Sequence, residues 1–76
     1  MRFIIADDVF YARKAVEKMV MEWDPESRIV ASCDNGMRVL KLLAQESVDV
    51  LILDIRMPGV DGLEVSETVR QEYPRI

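Results

Sequence analysis

Apolar positions along the chain fall into two alternating patterns. Met1–Ala6 (MRFIIA), Arg28–Cys33 (RIVASC) and Val48–Leu53 (VDVLIL) are short, dense apolar runs. Their length and β-branched content predict strands, the first of them buried on both faces. Between these runs the apolar residues recur at helical spacing. Over Val9–Trp23 they are Ala12, Ala15, Val16, Met19, Val20 and Trp23, with Arg13, Lys14, Glu17 and Lys18 on the opposite face. Asp8 stands where an N-cap belongs, and Asp24-Pro25 stops the helix. Asp34-Asn35-Gly36 marks a turn, with Asn35 capping a helix over Met37–Gln45 whose apolar face is Val39, Leu40 and Leu43. A loop rich in breakers, MPGVDG at Met57–Gly62, precedes an amphipathic helix over Leu63–Tyr73. The order β-α-β-α-β-α calls for right-handed crossovers and a parallel sheet in a single α/β domain. Pro74-Arg75-Ile76 then reads as the lead-in to a fourth strand.

Composition narrows the function classes. The chain has 76 residues, 50% of them hydrophobic, which excludes intrinsic disorder. A chain this short buries only about 60% of its unfolded surface, so its stability is expected to be marginal. Ten basic against fourteen acidic residues leave a net charge of −4, which argues against direct nucleic-acid binding. The absence of histidine removes zinc–histidine sites, histidine-activated nucleophiles and a phosphohistidine on this chain. The single cysteine, Cys33, forms no internal disulfide and reads as a small buried hydrophobe. No apolar run reaches the ~18 residues of a membrane span and no signal-peptide pattern opens the chain, so a cytoplasmic location without membrane insertion is expected. Gly36, Gly59 and Gly62 form no phosphate-cradling loop. Trp23 is expected to pack at the end of the first helix, Phe10-Tyr11 to pack locally, and the five methionines to fill gaps, with Met19 and Met21 as a contact surface.

The candidate chemistry is acidic. Ligands of an open parallel sheet bind beyond the carboxyl ends of its strands. Asp7 and Asp8 end the first strand, and Asp54 ends the third. If those strands are neighbours, the three carboxylates share one pocket, and their repulsion favours a hard divalent cation such as Mg²⁺. That cation would attract a phosphoryl group, for which a carboxylate can serve as nucleophile. Asp54, opening onto the loop, has the most room for an incoming group. Taken singly, Asp7-Asp8 also reads as a helix cap with a solvated neighbour, and Asp54 as ordinary turn chemistry. Spacing alone leaves both readings open.

The pair Asp7-Asp8 followed by DIRMPGVDG from Asp54 to Gly62 resembles the receiver domain of two-component response regulators, the CheY-like family. The resemblance runs over the whole chain. It implies a doubly wound, flavodoxin-like fold whose strand order begins 2-1-3, and Mg²⁺-dependent transfer of a phosphoryl group from a sensor histidine kinase. By position, Asp54 would be the phosphoacceptor and Asp8 a direct Mg²⁺ ligand. Asp7 would hold the ion directly or through water, and Arg56 would offer its backbone carbonyl. Pro58 and Gly59 would supply the tight turn behind the acceptor.

The family pattern continues with a fourth strand ending in Ser or Thr and a fifth ending in Lys. This sequence contains neither, and its lysines, Lys14, Lys18 and Lys41, all fall on expected helices. The resemblance therefore covers a partial receiver domain over residues 1–76, β1 to α3 without β4 to α5, whose phosphotransfer alone is expected to be impaired. An uncovered third strand, VLIL, is an apolar edge that favours self-association, most simply a homodimer with antiparallel pairing of two third strands. A half-receiver that only folds and self-associates, without phosphotransfer, is the alternative function. A phosphatase of the haloacid-dehalogenase type would require a D-x-D motif and a longer chain.

Overall fold

The strand β1 (Arg2–Ala6) lies at the centre of the structure, with Phe3, Ile4, Ile5 and Ala6 all buried. A strand apolar at four consecutive positions is satisfied only between two layers, because successive side chains point to opposite faces. The structure is a computed structural model and describes residues 1–57 and 62–76; the turn expected at Pro58-Gly59 lies outside the described residues. After β1 come α1 (Phe10–Trp23), β2 (Arg28–Cys33), α2 (Gly36–Leu43), β3 (Val50–Leu53) and α3 (Gly62–Glu72). Among the described residues the three strands form one open parallel sheet in the order β2-β1-β3. Ile4 and Ala6 pack with Cys33, Val39, Leu43, Met57 and Val65, which gathers α2 and α3 on one face of the sheet. Phe3 and Ile5 face the other way, where the Phe3 ring meets Trp23 of α1 edge-on at 6.5 Å.

Local chemistry explains the element ends. The Asn35 side chain accepts the backbone N–H of Arg38 at 2.9 Å and so caps α2 as expected. At the end of α1, Asp24 accepts from the Glu26 N–H and from the Ser27 hydroxyl, closing the turn that contains Pro25. The start of α1 differs from expectation. Asp8 does not cap it; Val9 holds the N-cap position without a side-chain cap, and the Asp7 carboxylate accepts the Val9 N–H at 2.9 Å. An aspartate bonding two residues ahead forms an Asx turn, a local alternative to the helix cap.

The apolar face of α1 is also narrower than its periodicity implies. Only Val20 is buried, while Met19 and Trp23 are 59% and 71% exposed. A three-stranded sheet offers α1 little beyond β1 to cover, so residues further round the helix stay in water. Trp23 gains one ring contact rather than an enclosed site. Met57 does fill a gap in the core, but Met1, Met19 and Met37 are exposed. No helix among the described residues is long and apolar enough to cross a membrane.

Candidate metal centre

Register brings the acidic residues together. In the β1–β3 ladder Ala6 is opposite Leu53, and the Asp54 N–H donates to the Ala6 carbonyl at 2.8 Å. On the other side Ala6 is opposite Cys33, whose carbonyl accepts the Asp7 N–H at 3.0 Å. Asp7 and Asp54 therefore leave the sheet side by side, and Asp8 follows on the same rim. Each of Asp7, Asp8 and Asp54 presents a carboxylate oxygen within 4.8 Å of the other two. Asp34, at the end of β2, does not join them; it accepts a hydrogen bond from the Asn35 side-chain amide. The strand-neighbour condition left open by spacing is thus met, and Asp7, Asp8 and Asp54 form one cluster.

The donor set fits a hard divalent cation. All three side chains offer anionic oxygen, and Mg²⁺ ligands opposite one another across the ion stand about 4.2 Å apart. Three ligands of one ion cannot all be opposite one another, so the oxygens, now within 4.8 Å of each other, would draw closer around it; Asp8 is exposed, and Asp7 and Asp54 are half-buried. The Asp54 Oδ1 accepts the Arg56 N–H at 3.0 Å, and no hydrogen bond to Oδ2 occurs among the described residues. Arg56 is exposed and lies two residues beyond Asp54.

Two further residues shape this rim. The Arg13 Nη1 donates to the Asp7 carbonyl at 2.8 Å, and its guanidinium carbon stands 5.5 Å from the Phe10 ring centroid. Helical periodicity assigns Arg13 to the solvent face of α1, so no sequence signal marks this contact. Gly62 begins α3 directly against the chain that leaves β3. A Cβ there would come within 2.3 Å of the Ile55 Cα and 2.4 Å of the Asp54 carbonyl oxygen. The Gly62 N–H also donates to the Ile55 carbonyl at 3.0 Å. Behind the rim, burial pushes the Cys33 thiol above its ordinary value; the Arg38 cation lowers it, Asp34 raises it and Arg13 lowers it, each by less. Cys33 is a packed thiol, as its place late in β2 suggested.

Comparison with known proteins agrees with this arrangement. A protein-glutamate methylesterase/protein-glutamine glutaminase of Nitratidesulfovibrio vulgaris is 40% identical over 72 residues, 95% of this chain and 19% of its own length. An uncharacterised response regulatory protein of Vibrio cholerae is 41% identical over 69 residues, 91% of this chain and 26% of its own. The chain thus spans about a fifth to a quarter of the length of these curated relatives. The isolated REC domain of RcsB from Salmonella enterica serovar Typhimurium, determined with the phosphomimetic BeF3⁻, superposes with a TM-score of 0.87 at 26% identity, over 99% of this chain and 56% of that one. The response regulatory domain of mrkE from Klebsiella pneumoniae gives 0.85 at 32% identity, over 99% and 61%. The sequence matches the response regulator receiver domain over residues 3–76, and with the 2-1-3 sheet and the acidic rim in place, the chain belongs to that family.

Proposed function

We propose that the chain accepts a phosphoryl group on Asp54 from the phosphohistidine of a sensor kinase, using Mg²⁺, within two-component signalling in the cytoplasm. The observation that carries this is the convergence of Asp7, Asp8 and Asp54 within 4.8 Å in a member of the receiver family. Asp8 and Asp7 hold the cation, Asp7 directly or through water, together with Asp54 and the Arg56 carbonyl. Asp54 Oδ2, which has no donor among the described residues, attacks phosphorus. A P–O bond forms, the P–N bond to the donor histidine breaks, and the electron pair returns to the imidazole. When bound, Mg²⁺ neutralises charge on the phosphoryl oxygens.

The 76 residues correspond, in this proposal, to the first three βα units of a receiver domain. Their coverage of 56% and 61% of two receiver-domain chains supports it. Lys14 and Lys18 lie on α1 and Lys41 on α2, so this segment lacks the strand-end lysine of the family pattern. Losing one such oxyanion contact costs about a hundredfold or more in rate. The test is incubation of the chain with acetyl phosphate, followed by intact mass measurement. A slow phosphoryl adduct that forms with Mg²⁺ and fails to form when EDTA is present from the start is expected, whereas an equal adduct without divalent cation would sink the reading.

A second reading, self-association without phosphotransfer, is favoured by the edge at β3. Its four residues, VLIL, are only half-buried. An open groove of 620 Å³ runs between β3 and α3, lined by Leu51, Leu53, Ile55, Val69, Tyr73 and Ile76 among others. An uncharged β-prone edge invites another strand, and antiparallel pairing with a second copy supplies one. Light scattering at micromolar concentration is expected to give a dimer, reduced to monomer by Leu51→Lys at the groove. A monodisperse monomer of the unaltered chain would rule this out.

A further inference from the structure

We infer that Arg13 is a positioning residue, holding the Asp7-Asp8 pair in the geometry that receives the divalent cation. The inference rests on the metal-binding reading of the rim and adds to it a group outside the ligand set. Asp7 is held at three points. Its N–H donates to the Cys33 carbonyl and its carboxylate accepts from the Val9 N–H. Its carbonyl accepts from the Arg13 guanidinium at 2.8 Å. That carbonyl belongs to the peptide joining Asp7 to Asp8. Fixing its plane sets the direction in which Asp8 leaves the chain, and hence the relation of the two carboxylates.

The Asx turn from the Asp7 carboxylate to the Val9 N–H also spans this peptide, and the Arg13 bond is the one that holds its carbonyl oxygen from outside that turn. The Arg13 bond is charge-assisted and part-buried, which makes it the stronger kind. Its donor is itself held. The guanidinium carbon is 5.5 Å from the Phe10 ring centroid, within the range of a cation–π contact. Phe10, although 53% exposed, therefore serves as the platform for Arg13. A partner that orients a metal-ligating residue typically affects affinity by about ten- to a hundredfold.

Charge and positioning predict opposite results, which makes the role testable. If Arg13 acted only as a nearby cation, removing it would tighten Mg²⁺ binding, because the carboxylates would lose a competitor. As a positioning residue, its removal loosens binding. Calorimetric titration of the 76-residue chain with MgCl2 is expected to show Arg13→Ala binding about tenfold or more weakly. Arg13→Gln, which keeps a long stem and an N–H donor without the charge, is expected to recover most of that loss. Unchanged or tighter binding by Arg13→Ala overturns the inference. A second readout needs no metal and separates this inference from the reading it rests on. In amide NMR spectra of the metal-free chain, the Val9 and Asp8 resonances are expected to move in Arg13→Ala and to stay near their places in Arg13→Gln. Resonances unmoved by the alanine would overturn the positioning role, while a wild-type chain that ignores Mg²⁺ counts against the metal-binding reading instead.

Discussion

Asp54→Asn is expected to abolish the phosphoryl adduct formed from acetyl phosphate and Mg²⁺, to below detection by intact mass. The substitution keeps the shape of the side chain and an oxygen at Oδ1, so the Arg56 N–H keeps its acceptor and the turn after β3 keeps its bond. What it removes is the anionic nucleophile at Oδ2, where an amide nitrogen has no comparable reactivity toward phosphorus. It also reduces three carboxylates within 4.8 Å to two, so Mg²⁺ binding weakens in parallel. A linked result distinguishes this from damage to the fold. Three like charges held together repel one another in the metal-free state, and relieving one of them is expected to raise the metal-free melting temperature. Adduct persisting on Asp7 or Asp8 in the variant would show that the acceptor had been assigned to the wrong carboxylate. A fall in metal-free stability would show that Asp54 supports the fold rather than straining it.

The second large effect belongs to Gly62. A methyl group there would stand 2.3 Å from the Ile55 Cα, 2.4 Å from the Asp54 carbonyl oxygen and 2.8 Å from the Ile55 carbonyl carbon. All three are backbone atoms, so no side-chain rotation makes room. Overpacking in a formed core costs about 1–3 kcal/mol, and with backbone on one side Gly62→Ala is expected at or above ~3 kcal/mol. Against the ~5–15 kcal/mol of a typical domain, and in a chain of 76 residues, that is a large share. The chain has two ways to respond, unfolding or moving α3 away from the end of β3. The second also displaces Asp54 from Asp7 and Asp8. Urea denaturation should show the loss of stability, and titration with Mg²⁺ a loss of affinity beyond it. Ser66→Ala, at an exposed position on the same helix, is expected to stay within about 0.5 kcal/mol of wild type. An alanine at Gly62 as harmless as one at Ser66 would refute the close contact.

Most of the fold was legible because each element has a local cause. The four apolar residues of β1, the Asn35 cap of α2 and the Asp24-Pro25 stop of α1 all depend on residues close in sequence. The misreadings are those where another group, near in sequence or far, competed. Asp8 has the right spacing for a cap, but Asp7 reaches the Val9 N–H first. Met19 and Trp23 fit the apolar stripe of α1, yet how much of a stripe is buried depends on the width of the sheet beneath it. Arg13 shows the opposite case, a charged residue at a solvent-type position that turns back to the carbonyl of Asp7.

The sequence by itself determined the alternation of strands and helices, the buried central strand and the aspartates at the ends of the first and third strands. It also carried the family, in Asp7-Asp8 and the run from Asp54 to Gly62. These are properties of composition and period, which are written along the chain. The tertiary structure alone decided that the aspartates form one cluster, since that depends on which strands are neighbours and in what register. Pairing Ala6 with Leu53 sets Asp7 beside Asp54, whereas a register shifted by one residue would turn one of them to the other face. The supports of the cluster, Arg13 and Gly62, were decided there too, because each acts on backbone that only folding brings within reach.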